Sequence, residues 1–188
     1  MPKEGGGGRS SGGGGRKGRE RFQGGGGGPM TPQAAEDMMK QLGVHTINLA
    51  MMKADGTLGE VGAMLPPGTK LLGQGAEAVA FRLPDGTVMR VQNMMPVTRP
   101  NIDLVTQPIS VTKIGKTTVE RVPYVQPASS MSNAMQAEGR SYLESHMPAG
   151  YYGEDLHAGN YGKTSGGQWQ AFDPGAIQPK VPGFTYNK

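Results

Sequence analysis

The chain has 188 residues, no cysteine and a formal net charge of +4. The missing cysteine excludes disulfides and thiolate zinc sites, and no apolar run approaches the roughly 18 residues of a membrane-spanning helix. All the excess charge falls in the first 28 residues, where six basic groups face two acidic ones. The remainder is electrically balanced, so it does not read as a broadly basic nucleic-acid-binding surface.

Residues 1–28 hold 14 of the 32 glycines and almost no apolar side chain. Such a segment buries too little surface to offset its ordering entropy, so a disordered Gly/Arg-rich arm is expected there. Arginine–glycine stretches bind RNA or DNA phosphates with salt-sensitive affinity. With Phe22 alone for base stacking, that binding is expected to be weak, and a plain flexible leader is the competing reading. No apolar leader precedes the folded part, so a soluble protein is expected, cytoplasmic or carried in a larger particle. Residues 29–188 are enough for one modest core.

Thr31 can cap a helix, Pro32 suits its first position and Gly43 its end. Ala35, Met38, Met39 and Leu42 fall on one apolar stripe between them. From Val44 to Val125 the pattern reads as β-like, with turn signals at Asp55-Gly56, Pro67-Gly68, Asp85-Gly86 and Gly115. The candidate strands are 70–72, 79–83, 87–91, 109–113 and 118–122, and consecutive hairpins of this kind build an antiparallel sheet. Residues 93–108 contain Pro96, Pro100 and Pro108 and do not read as a regular helix. A helix then opens at Ser129 or Ser130 and runs to about Met147, weakened by Gly139. A hairpin around Gly166-Gly167 follows, giving an α+β class overall.

Asp155, Asn160 and Asp173 carry the chemistry. They stand in Asp155-Leu156-His157-Ala158-Gly159-Asn160 and in Phe172-Asp173-Pro174-Gly175. An acid, an amide five positions on and a second acid thirteen beyond can surround one nucleotide phosphate tail. The first acid can accept a proton from an attacking hydroxyl, and the other two offer hard oxygen ligands to Mg²⁺. Gly73 and Gly75, between two strands, leave room for phosphates to approach the backbone. Arg90 places a cation on the next strand but one from that turn. With three histidines and no cysteine, a zinc site is not expected.

Glycine turn, strand cation, hairpin, helix, acid-x4-amide loop and second acid, in this order, resemble the protein-kinase-like superfamily. The Asp-Leu-His-Ala-Gly-Asn loop is similar to the aminoglycoside-phosphotransferase-like branch in particular. The resemblance covers roughly residues 69–177 and implies a truncated kinase-like fold. That fold would have an N-lobe of about 44–125 with an antiparallel sheet and a minimal C-lobe of about 129–188. It implies Asp155 as the base-like group and Asn160 and Asp173 as Mg²⁺ ligands. Gly73, Gly75 and Val79 would belong to the ATP-binding stretch, with Ala78 at the last glycine position, and Arg90 would stand in for the usual lysine. His157 would buttress the loop by hydrogen bonding. The expected partners are a nucleotide and an acceptor of unspecified class.

Three features depart from the pattern. Arg90 replaces a lysine, the 93–108 stretch contains no glutamate to hold the cation, and few residues follow Asp173. The alternative expectation is therefore a non-catalytic, pseudokinase-like interaction protein. Brevity and the glycine-rich arm also resemble small kinase-like domains of bacteriophages and mobile elements, which implies a virion-associated or multi-subunit setting. A nucleic-acid-associated protein acting through its arm is the third expectation.

Overall fold

The computed structural model describes residues 30–75, 78–93 and 98–186. The expected arm, Ala76 and Glu77 of the glycine turn, Pro96 and Lys188 lie outside the described residues.

The described chain is α+β. Helix α1 (Pro32–Gln41) begins as its sequence predicts: the Ala34 N–H donates to Thr31 Oγ1 at 3.3 Å, with proline in the first turn. Ala35 and Met39 are fully buried along the predicted stripe. The next stretch differs from expectation. Residues 44–65 are not β-like; they form α2 (Thr46–Ala54) and α3 (Leu58–Ala63). Asp55-Gly56 closes α2, with Gly56 at φ +69, where the sequence reading places a β-turn. The same dipeptide serves a helix end as readily as a hairpin, because both need a left-handed residue. Leu49 and Met52, then Leu58 and Val61, give each short helix one buried step of helical spacing.

Five strands follow: β1 (Lys70–Gln74), β2 (Ala78–Arg82), β3 (Val88–Gln92), β4 (Ser110–Ile114) and β5 (Thr117–Val122). They form one antiparallel sheet in the order β1-β2-β3-β5-β4. Side-chain alternation gives the sheet two unlike faces. Val79, Phe81, Met89, Val91 and Val119 join Ala35, Met39, Leu49, Met52, Leu58 and Val61 in a core beneath the three helices. Ala80, Arg90 and Glu120 point the other way; Arg90 lies opposite both Ala80 and Glu120 in the strand register.

A second core forms beyond the sheet. It uses β6 (Val125–Pro127), a 3₁₀ turn (Ala128–Ser130), α4 (Asn133–Ser145), β7 (Tyr151–Gly153), β8 (Tyr161–Thr164), β9 (Trp169–Ala171) and β10 (Ile177–Pro179). Strands β6, β8 and β9 form a three-stranded sheet, and β7 pairs with β10. Helix α4 starts later than the sequence reading places it, with Ser132 accepting the Met135 N–H at 3.4 Å. Gly139 of α4 is buried against Trp169, whose ring occupies the space a β-carbon would take. Residues 98–108 form no regular helix, as their prolines predict. They do not stay with the first sheet, however. Leu104 and Val105 join the second core, and the Ala171 and Thr106 amides donate to Leu104 O and Ala171 O, both at 2.8 Å. No helix among the described residues is long and apolar enough to cross a membrane.

Candidate functional site

A cleft of about 680 Å³ lies between the helix-free face of the five-stranded sheet and the second unit. From the sheet it is lined by Gly73, Gly75, Ala78, Ala80 and Arg90; from the second unit, by Asn160, Phe172 and Asp173. Pro123 and Tyr124, in the link between the two, and Val125 at the start of β6 line it as well. Residues distant in sequence thus share one wall-to-wall space of the size small-molecule sites occupy.

The glycine turn forms the roof. A β-carbon at Gly73 or Gly75 would meet nothing within 4 Å, so both open onto free space. The Gly75 N–H donates to Ala78 O at 2.9 Å and keeps the turn tight. Between them, the Gln74 side chain reaches behind the sheet. Its Oε1 accepts the His45 N–H at 2.7 Å, and its Nε2 donates to Gly43 O at 2.9 Å. Val79 is the exception among the expected nucleotide-binding residues. It is fully buried in the core under the helices, and Ala78 and Ala80 line the cleft instead. The alternation of a strand places every second residue on the far face, which a contiguous motif conceals.

The floor is built around Asn160. The loop from Asp155 folds on itself, with the Asn160 N–H donating to His157 O at 2.9 Å. Asn160 Nδ2 donates to Asp155 O at 3.1 Å and to Asp155 Oδ2 at 3.0 Å. Its backbone carbonyl accepts from the Phe172 and Asp173 N–H groups at 3.0 and 3.3 Å. One asparagine therefore joins both acid-bearing segments. His157 acts within the loop, its Nδ1 accepting the Gly159 N–H at 3.0 Å, while its Nε2 lies 3.6 Å from Asp155 Oδ2. Leu156 is buried beneath the loop and anchors it in the second core.

Asp173 is oriented from two sides. Its Oδ1 accepts the Gly175 N–H at 2.7 Å, and its Oδ2 lies 3.7 Å from Arg90 Nη2 across the cleft. Arg90 in turn lies 3.8 Å from Glu120 Oε2, and Glu120 accepts from Arg99 Nη2 at 2.7 Å. Glu120 and Arg99 are the residues the sequence reading missed. The carboxylate beside the strand cation comes from the neighbouring strand, not from the stretch that follows it. The available signal was a lone acid in the β-branched run Thr117–Val122, a position where burial demands a charged partner.

Asn160, Asp173, Arg90 and the two glycines thus line one cleft; Asp155 is tied to it through Asn160 without lining it, and Val79 lies on the other face of the sheet. Because Asn160 Nδ2 is taken up by Asp155, its side-chain carbonyl is the atom left for a cation, and Asp173 supplies a carboxylate to the same cleft. Hard oxygen donors of this kind fit Mg²⁺, which commonly takes few protein ligands and completes its shell with water and phosphate. No cluster of three or more His, Asp or Glu side chains suited to a metal occurs among the described residues, so a closed all-protein cage is not what this site offers. Compared with known proteins, the chain matches no protein-family model and no curated protein sequence.

Proposed function

We propose that the chain is a kinase-like domain, of the aminoglycoside-phosphotransferase-like kind, that binds Mg-ATP in this cleft. The observation that carries the reading is the double role of Asn160. Its side-chain amide holds Asp155 and its backbone carbonyl holds the Asp173 segment, so one residue of the cleft ties the two acid-bearing segments together. Arg90 on the third strand faces that space as the phosphate-pairing cation of kinases does. Gly73 and Gly75 supply the close backbone approach a phosphate chain needs.

In this reading, Asn160 and Asp173 would hold the cation and Arg90 would pair with phosphate oxygens. Asp155 orients an acceptor hydroxyl and accepts its proton at the carboxylate. Mg²⁺, when bound, would supply charge neutralisation for the phosphates.

A second reading is a non-catalytic interaction module of the same fold. It is favoured by the exposure of Asp155, whose side chain is 62% accessible. A base so wetted contributes less than one held in a closed site. The two readings separate in a thermal-shift titration. Mg-ATP at millimolar concentration is expected to raise the unfolding temperature, and Asp173→Ala is expected to abolish the rise. No shift in the parent would remove nucleotide binding and leave the interaction module. Slow ATP hydrolysis suppressed by Asp155→Ala would place it among the phosphotransferases.

A further inference from the structure

Arg99 comes from the proline-flanked stretch that forms no helix, yet its side chain is only 6% exposed. Its guanidinium serves acceptors on two separate parts of the fold. Nη2 donates to Glu120 Oε2 at 2.7 Å; Nη1 donates to Thr106 O at 2.7 Å and to Phe172 O at 3.4 Å. Glu120 stands beside Arg90 on the sheet, and Phe172 directly precedes Asp173.

We propose that Arg99 is a positioning residue of the cleft. Through Glu120 it sets the carboxylate that orients Arg90, and through the Phe172 carbonyl it fixes the backbone that carries Asp173. This rests on the Mg-ATP reading above and extends it to a residue outside every motif of the sequence.

The distances say which contact governs. Glu120 lies 3.8 Å from Arg90 but 2.7 Å from Arg99, so the shorter charge-assisted bond decides where its carboxylate points. Buried charge requires such partners, and Glu120 is only 8% exposed. Two guanidinium groups around one carboxylate leave surplus positive charge facing the cleft, where Asp173 meets it now and phosphate would meet it on binding. The N–H of that same peptide unit is that of Asp173, and it donates to Asn160 O at 3.3 Å, so the hold passes to the backbone of the metal-facing residue as well. Lysine could not do the same: its ammonium is a point charge, whereas the planar fork serves a carboxylate on one side and carbonyls on the other.

The test is a pair of ligand titrations on the full chain, followed by NMR well below the unfolding temperature. The probes are Mg-ATP and adenosine, which lacks the phosphates and recruits no metal. Arg99→Lys keeps the charge and loses the fork. It is expected to weaken Mg-ATP about tenfold, as Arg90 and the Asp173 backbone lose their fixed placement, while adenosine changes by less than about twofold. Equal weakening of both ligands would show general loosening and overturn the positioning role, as would an unchanged Mg-ATP affinity. Glu120→Asp keeps the charge between Arg90 and Arg99 but shortens its reach; it is expected to show the same split and decides the matter if Arg99→Lys does not fold. A parent that binds no Mg-ATP would refute this inference together with the function beneath it. That result is distinct from a parent that binds and variants that match it.

Discussion

Replacing Gly139 by alanine sets two physical rules against each other. By helix propensity alone, Gly139→Ala in the middle of α4 is expected to stabilise by about 1 kcal/mol. The packing predicts the opposite sign. An added β-carbon would stand 2.6 Å from Trp169 Cε3 and Cζ3 and 2.9 Å from Cδ2, where carbon atoms settle at about 3.5–4.0 Å. The ring would have to retreat by about 1 Å. It is poorly placed to do so: Trp169 is 4% exposed, its Nε1 donates to Glu138 Oε1 at 3.2 Å, and its ring meets Tyr161 edge-on at a centroid distance of 6.2 Å. Overpacking of this kind costs about 1–3 kcal/mol. Subtracting the propensity gain leaves a net loss near ~1 kcal/mol, or about 2–4 °C in unfolding temperature for a domain of this size. Urea and thermal unfolding measure it directly. The chain has a single tryptophan, so emission reports on this ring alone and is expected to shift to the red as the ring is displaced. Ala137→Gly, at an exposed position of the same helix, measures the propensity effect separately. A gain from Gly139→Ala equal and opposite to the loss from Ala137→Gly, with emission unchanged, would refute the close seating of the ring.

Two further outcomes follow from the strand faces and the tyrosines. Val79→Ala is expected to cost about 2 kcal/mol in urea unfolding, as a fully buried side chain, and to leave Mg-ATP affinity unchanged. Ala80→Phe should do the reverse, filling the cleft at little cost to stability; weakened binding by Val79→Ala alone would show the faces to be misassigned. The Tyr152 hydroxyl is pushed up to about 12, first by its hydrogen bond to Glu154 and then by desolvation and the nearby charges of Glu154 and Tyr186. Its folded value is raised above the ordinary value near 10, so its contribution to stability is complete below about pH 10 and lost as pH rises through about 12. The absorbance titration of the chain minus that of Tyr152→Phe isolates this group; Glu154→Gln should return it towards 10, and an unaltered curve would exclude the Glu154 bond as the cause.

Local signals in the sequence located what local forces determine. Thr31 and Pro32 start α1 because capping and a fixed φ act over one helical turn, and the turns at Asp85-Gly86 and Gly115 separate strands because a hairpin needs its residues adjacent. The Asp155-to-Asn160 loop was legible for the same reason: its bonds run over five residues. What escaped was set by distance. The helices at 46–63 bury only a few residues each, and their stability comes from the sheet beneath them, which no window of that length contains. Arg90 meets Glu120 only after β3 and β5 are registered, and Arg99 reaches Phe172 across 73 positions of chain. Val79 belongs to a binding stretch only if a motif is one contiguous surface, and a strand divides it between two faces.

The bonds from Gln74 to the backbone at Gly43 and His45 have a mechanical consequence. A turn of Gly73, Gln74 and Gly75 would by itself be slack, yet here it is moored from the rear to the elbow between α1 and α2. Its stiffness is therefore borrowed from helices that never touch the cleft. Loosening α2 at its N-terminus would let the roof sag, and a change made on the back of the protein would be read out at its front.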